Sequence, residues 1–573
     1  MKKIKTVRLK TPFEGAENAW DIYPRPQMQR DSFFSLNGNW KLFSVRKNKK
    51  TSLGTITVPF PPESALSGIE KTPKNHEKYL YLKTFSVPKD FLHEKTLLHF
   101  GACDQIAKVT LNGEYLGEHI GGYLPFSFDV SELIRVGENT LQVEIEDSLD
   151  LEIPYGKQRK KRGGMWYTPI SGIWQTVWME SVPANAIRAL RLTPSLTGVA
   201  VEIQGGEEQK TLTVETPNGL KEYRFQGKSA VIRLEAPILW TPENPHLYPL
   251  TVRSGEDTVR SYFALRTFDS VWVNGKNYLA LNGKPYFFHG LLDQGYFSDG
   301  IYLPASPEGF RFDVRTAKSL GFNMLRKHIK IEPEVFYHEC DKQGIVVFQD
   351  MVNSGKNSFL ADTALPTIGL KNGKEHKASK RRRELFENAC EETLSHLYNH
   401  PCICCYTIFN EGWGQYDADR IYDRLKEKDP SRIFDSTSGW FEKTKSDVKS
   451  EHVYFKTLDL QPSEKPLFLS EFGGYSCKIK DHSFNLSQTY GYRFFKNQKD
   501  FMNALEKLYL DEVIPMIERG LCATVLTQLS DVEDETNGLL TYDRQILKTD
   551  VARMTALSKA LTAVFEKQIR NNP

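Results

Sequence analysis

The apolar run YTIF at residues 406–409 ends abruptly in Asn410-Glu411, and the run PLFLS at 466–470 ends in Glu471. Carboxylates set at the ends of buried strands can divide the work of acid and base, and a facing pair is what cleavage of a glycosidic bond requires. One must be protonated to assist the departing oxygen, and the other ionised to act as nucleophile or base. A single strand-end Glu serves equally well as a salt-bridge partner or a helix cap. Two of them, each behind four or more apolar residues, favour catalysis. Further strand ends carry groups that can surround such a pair: Arg326-Lys327-His328 after NML, Asp350 after IVVFQ, and Asp293 after the first strand.

Side chains 60 positions apart in sequence must be brought together by regular elements. From about Trp272 onward, apolar runs (PYFFHG, NMLR, IVVFQD, ICCYTIFNE, RIFDST, HVYF, PLFLSE, ATVLTQ) alternate with helical patterns near 307–320, 333–343 and 380–399. Eight strands at this spacing predict a (β/α)8 TIM barrel, whose functional residues gather where the strands end. The fifth and sixth strands are the weak point, because WFEKTKSDVKSE between them is a poor helix. The segment 352–383 reads as a long loop, and its Arg381–Arg383 run as a solvated helix start.

Ahead of the barrel the pattern is all β. Residues 1–181 contain short alternating segments broken by Asn-Gly and Gly-rich turns, such as SLNGNWKLF and KVTLNGEYLGEH, and predict a jelly roll. Residues 182–271 have the length and rhythm of an immunoglobulin-like β-sandwich, without the Cys-Trp-Cys signature of a true immunoglobulin. The fold expectation is multidomain: 1–181 jelly roll, 182–271 sandwich, 272–573 barrel.

Composition narrows the partners. Seventy-five Lys and Arg against 72 Asp and Glu leave a net charge of +3, too small over 573 residues to drive nucleic-acid or membrane binding. The basic start MKKIK is not followed by the apolar stretch of a signal peptide, and no run reaches membrane-spanning length, so a cytoplasmic location is expected. Cys402, Cys404 and Cys405, close to Cys390, lack the paired C-x-x-C spacing of zinc sites and read as small buried residues.

The motifs SLNGNW, GGYLPFSFDVSELI, GGMWYTPISGIWQTVW, FNEGWGQ and SEFGG together resemble glycoside hydrolase family 2, the family of β-galactosidases, β-glucuronidases and β-mannosidases. The resemblance covers essentially the whole chain. It implies a retaining double displacement in which Glu471 is the nucleophile, Glu411 the acid/base, and Asn410 a donor to the sugar 2-hydroxyl. It further implies that Arg326 stands behind the nucleophile and that Tyr454 hydrogen-bonds it. His328, Asp350 and Asp293 are candidate ligands for sugar hydroxyls, and Trp413 or Trp440 offers a face for stacking. No cofactor is required by this chemistry; some relatives use a divalent cation, but no complete ligand set is identifiable here. The expected partner is a small carbohydrate or glycoside, with a homo-oligomer left open.

The sugar is less constrained. Uronide-cleaving members carry an Asn-x-Lys pair near strand eight, where this chain has Asn537 followed by Leu539. Lys327, Lys330 and the loop GKQRKKRGG at 156–164 are other possible cations, while Asp531, Glu533, Asp534 and Glu535 would repel a carboxylate if they faced the pocket. A neutral sugar, β-galactoside first, is therefore the leading expectation, with a β-uronide or a non-catalytic sugar-binding protein as alternatives.

Overall fold

Runs of Val, Ile, Leu and Phe without polar alternation can be buried on both faces only in a parallel sheet covered on both sides. The computed structural model describes residues 6–570 except 14–17, 75, 359, 361, 363–364, 368–369 and 371–374, and in it eight such runs form one barrel. The strands are β1 (Phe288–Asp293), β2 (Met324–Lys327), β3 (Val346–Asp350), β4 (Ile403–Asn410), β5 (Ile433–Ser438), β6 (Lys449–Val453), β7 (Leu467–Gly473) and β8 (Leu521–Thr527). They pair in parallel in the order β5-β4-β3-β2-β1-β8-β7-β6. All but β6 are buried along their whole length, including the polar residues that end β2 and fill the second half of β5 (IFDSTS).

Helices cover the barrel at α1 (Glu308–Ser319), α2 (Glu334–Gln343), α3 (Lys380–Leu397), α4 (Ala418–Lys428), α5 (Gln498–Leu508) and α6 (Val551–Arg570). Their ends follow ordinary capping rules. α2 stops at Gly344, which takes φ 72° and donates its N–H to Cys340 O. α3 starts at Ser379, whose Oγ accepts from Arg382 N–H at 3.0 Å. The arginine run there is solvated only in part: exposed Arg381 pairs with Asp150 and Glu152 of the jelly roll at 2.6 and 3.0 Å and Arg383 pairs with Asp417, but Arg382 is buried and donates to Ser354 O and Gly414 O. Charge counting missed this because the partners come from distant parts of the chain. Cys404 and Cys405 lie buried within β4, where burial pushes both thiols up.

The two β domains are antiparallel sandwiches. In the first, a six-stranded sheet faces a four-stranded one, with Val177–Val182 as its last strand. In the second, sheets of three and four strands span Ile187–Pro194 to Asp257–Phe263. Jelly roll, immunoglobulin-like sandwich and barrel therefore follow one another as the sequence indicates. The N-terminal strap lies outside the jelly roll it precedes: Val7 N–H bonds Phe484 O, Thr11 bonds Asp299, Trp20 Nε1 donates to Pro304 O, and Arg30 pairs with Asp257. Tyr123, Tyr155, Trp166, Tyr167 and Trp174 of the jelly roll share one core with Tyr296, Tyr302 and Trp413 of the barrel. That shared aromatic core fixes the 153–174 segment over the barrel mouth.

No helix joins β5 to β6, and among the described residues no backbone ladder pairs them. The seam is closed by Asp447 instead. Its backbone N–H donates to Phe434 O at 2.9 Å, while its carboxylate accepts from Phe434 N–H at 2.8 Å, Tyr422 OH at 2.6 Å and Lys426 Nζ at 2.8 Å. One side chain thus stands in for part of a missing ladder. Removing it leaves a buried-strand N–H without an acceptor, a cost of about 1–3 kcal/mol. Asp447→Ala should lose about that much stability in urea denaturation, and Asp447→Asn less; an Ala variant within ~0.5 kcal/mol of the parent would contradict this role.

Candidate active site

Arg326, on β2, is the hub around which the strand-end residues assemble. Its side chain has no exposed surface and is surrounded by acceptors. Nε–H donates to Asp350 Oδ1 at 2.9 Å, Nη2 to Asn410 Oδ1 at 2.8 Å, and Nη1 to Glu471 Oε1 at 3.1 Å and Ser470 O at 3.0 Å. Burial alone would pull the guanidinium pKa down, but Asp350 and Glu471 outweigh it and raise it, so the cation is permanent. Because a guanidinium can only donate, Asn410 must present Oδ1 to it, and the Asn410 amide NH2 is left facing the cavity.

Adjacent strand residues normally face apart. Here Glu411 takes φ 53°, a left-handed conformation, at the end of β4, and its N–H still bonds Ser438 O at 2.9 Å. The turn lets Asn410 and Glu411 both reach the same cavity. Gly412 and Gly414 follow with φ 69° and 67°, and a Cβ at Gly412 would meet the Phe441 ring at 2.3 Å. Glycine is required at that position by both conformation and space.

The two glutamates meet across His452 of β6. Oxygens of Glu411 and Glu471 and a ring nitrogen of His452 lie within 4.8 Å of one another. His452 Nδ1 is 3.0 Å from Glu411 Oε1, and Nε2 is 3.6 Å from Glu471 Oε1. Burial drives the His452 pKa down to about 3, so the ring is neutral. Burial also raises the Glu411 pKa, against the opposing charges of Lys157, His328 and Arg326. Two carboxylates and a histidine form a plausible set of metal donors, yet Arg326 already brings a positive charge to Glu471 and faces His452 Nε2 at 3.3 Å.

The other anticipated residues fall into two groups. Tyr454 belongs to the centre: its hydroxyl bonds Glu471 Oε2 and lies 3.0 Å from Thr527 Oγ1, and its ring stacks on Tyr492 at 3.8 Å. Trp440 backs the centre, its Nε1 donating to His452 O at 3.3 Å. His328 Nδ1 is fixed by Asp350 Oδ2 at 2.7 Å, so both oxygens of Asp350 are engaged and His328 presents the other nitrogen. Asp293 stands apart. It is locked to Lys327 Nζ at 2.6 Å and Gly295 N–H at 2.9 Å, within a buried chain that continues through Glu332 to Lys330. Asp293 and Glu332 thereby offset Lys327 and Lys330. Trp413 packs against Tyr155 and Trp166 of the jelly roll.

His452, Ser438, Thr527 and Lys157 were not anticipated individually. His452 lies two residues before Tyr454, and period-two alternation puts both on one face, a signal that was present in HVYF. Lys157 is buried at 7% exposure, with its Nζ 5.6 Å above the Trp166 ring, and among the described residues no carboxylate lies within bonding distance. The acidic residues near strand eight are mostly taken up: Asp531 pairs with Lys548, and Glu533 and Asp534 with Arg162. Glu535 is held by Tyr167 OH and Asn537 Nδ2, and burial raises its pKa.

Removing the hub leaves Asp350 and Glu471 as buried charges without a cation, which costs about 3–5 kcal/mol. Arg326→Met should lose that much in guanidinium denaturation at neutral pH; a loss below ~1 kcal/mol would show that the carboxylates do not depend on it.

Three family descriptions match the chain in order: a glycosyl hydrolase 2 galactose-binding domain-like region at residues 62–187, a glycosyl hydrolases family 2 region at 187–266, and a glycosyl hydrolases family 2 TIM barrel domain at 271–473. A β-galactosidase of Thermoanaerobacter pseudethanolicus is 24% identical over 435 residues, covering 70% of this chain and 54% of that protein. A putative β-glucuronidase of Formosa agariphila is 23% identical over 538 residues, covering 82% and 60%. The chain thus spans little more than half the length of these curated relatives. Among solved structures, the β-D-glucuronidase of Dictyoglomus thermophilum superposes with a TM-score of 0.74 at 18% identity, covering 94% of this chain and 98% of that one, a likeness of fold. With three consecutive models of one family running from residue 62 to residue 473 almost without a break, the chain belongs to glycoside hydrolase family 2.

Proposed function

We propose that the chain is a retaining exo-β-glycosidase that works by double displacement. Glu471 attacks the anomeric carbon as a carboxylate, forming a covalent glycosyl-enzyme. Glu411 protonates the departing oxygen and then takes a proton from the incoming water. The observation that carries this reading is the closeness of the two carboxylates, one oxygen of each lying within 4.8 Å of the other, in keeping with the ~5 to 5.5 Å spacing of retaining sites. Desolvation of Glu411 and the fixed charge of Arg326 against Glu471 divide the pair into an acid and a nucleophile. The Asn410 amide is oriented to donate to the sugar 2-hydroxyl, a contact that strengthens as the oxocarbenium-like transition state forms. The jelly-roll segment 153–174 walls the mouth, in keeping with exo action on a terminal sugar.

A β-galactoside is the first substrate to test, because no lysine follows Asn537 and Leu539 is buried there. One observation favours a second reading, a β-uronide. Lys157 is a buried cation in the wall of the same mouth, without a carboxylate partner among the described residues, and its charge acts on both Glu411 and Glu535. A uronic acid carboxylate would supply the missing partner.

Three outcomes are expected. Glu411→Gln and Glu471→Gln should each lower turnover by at least ~10²-fold, with unfolding midpoints near the parent value. The first product seen by proton NMR should be the β anomer, and an α anomer would contradict double displacement. In a panel of nitrophenyl β-glycosides that includes galactoside, glucuronide and galacturonide, Lys157→Met should spare a galactosidase. The same substitution should lower kcat/KM of a uronidase by about 10–100-fold, consistent with loss of one charged contact. Sugar binding without any turnover across the panel would leave the non-catalytic alternative standing.

A further inference from the structure

We propose that His452, held as the neutral Nδ1–H tautomer between Arg326 and Glu411, is a positioning residue that engages Glu411 Oε1 and so reserves Oε2 for the catalytic proton. The inference rests on the acid/base role given to Glu411 above. It follows from which groups can donate. Arg326 Nη1, whose two hydrogens also serve Glu471 and Ser470 O, lies 3.3 Å from His452 Nε2, so an N–H on Nε2 would face a cation and the lone pair is favoured there. Ser438 Oγ lies 3.0 Å from the same nitrogen but gives its proton to Ser470 Oγ at 3.2 Å, so the tautomer rests on Arg326. A buried neutral ring then has its one proton on Nδ1, which faces Glu411 Oε1 at 3.0 Å.

The ring is clamped as well as oriented. His452 stands opposite Glu471 in the β6–β7 register, its carbonyl accepts from Trp440 Nε1, and a Cβ on Gly439 would strike the imidazole at 2.6 Å. Glycine at 439 therefore makes room for the ring. Glu411 Oε2 has no partner among the described residues. In the first step Oε2–H passes its proton to the aglycone oxygen as that C–O bond breaks and the Glu471–C1 bond forms. In the second, Oε2 takes a proton from water as the oxygen of that water displaces Glu471. His452 keeps its own proton throughout, and its N–H stabilises the ionised form of Glu411 between the two steps.

The test is the pH dependence of kcat/KM on whichever glycoside the parent enzyme turns over. The charges facing Glu411 are those of Lys157, His328, Arg326, Asp362 and Glu471, with the hydroxyls of Tyr454, Tyr490 and Tyr492 nearby, and all remain in the variants. Loss of a donor to the carboxylate raises its pKa, so His452→Phe should move the alkaline limb up by about one pH unit and lower kcat by about 10–100-fold. His452→Asn puts an amide N–H where Nδ1 was. It should keep the limb within ~0.3 unit of the parent and recover most of kcat. If His452→Phe does not fold, His452→Ala replaces it with the same expectation. An unmoved limb, or an Asn variant no better than Phe, overturns the positioning role while the glycosidase reading stands. A parent chain without turnover on any glycoside defeats that reading, and this one with it.

Discussion

A guanidinium with no access to water, ringed by two carboxylates, an amide, a carbonyl and an imidazole, is the interaction on which the mouth of this barrel depends. Arg326 reaches residues from β3, β4, β6 and β7 at once. Buried charge is expensive unless it is paired and hydrogen-bonded, so each of these strands is tied into the register that keeps its acceptor within about 3 Å of the cation. The same bonds settle orientations that would otherwise be ambiguous. Asn410 turns its amide nitrogen toward the cavity, and His452 carries its proton on the side of Glu411, because arginine cannot accept.

Around that hub the backbone does what strand geometry alone would forbid. Neighbouring residues of a strand point to opposite faces, yet the left-handed turn at Glu411 brings it beside Asn410. The seam between β5 and β6 is a second departure. There the ladder gives way to the Asp447 side chain, and the strand beyond it delivers His452 between the two carboxylates and then Tyr454 to Glu471. The jelly roll takes part through its aromatic segment, which carries Lys157 to the mouth and packs Trp166 on Trp413.

Much of this arrangement was legible in the sequence for physical reasons. Apolar runs ending in a polar residue mark buried barrel strands, and Glu411, Glu471, Arg326 and Asn410 were found because strand ends are where a barrel exposes its chemistry. Asp293 occupies a strand end too, but the partner that removes it from the cavity, Lys327, lies one strand away, and pairing across strands is not encoded in local pattern. The same limit applies to Arg382, which reads as part of a surface charge run and is buried against two carbonyls. Likewise the acids at 531–535 read as hostile to a carboxylate, yet Lys548 pairs with Asp531 and Arg162 is shared by Glu533 and Asp534. His452 is the reverse case: its alternation with Tyr454 was visible, but nothing local distinguishes a ring bridging two carboxylates from an ordinary core histidine.

The central claim is that Glu471 becomes covalently bonded to the sugar while Glu411 carries the proton. It is tested most directly by incubating the chain with a 2-deoxy-2-fluoro β-glycoside bearing a good leaving group, matched to the sugar it cleaves, and mapping the product by peptide mass spectrometry. The expected result is one sugar per chain, released slowly and attached to the peptide through Glu471. A label on any other residue, or steady turnover of the natural glycoside with no trapped adduct, would contradict it.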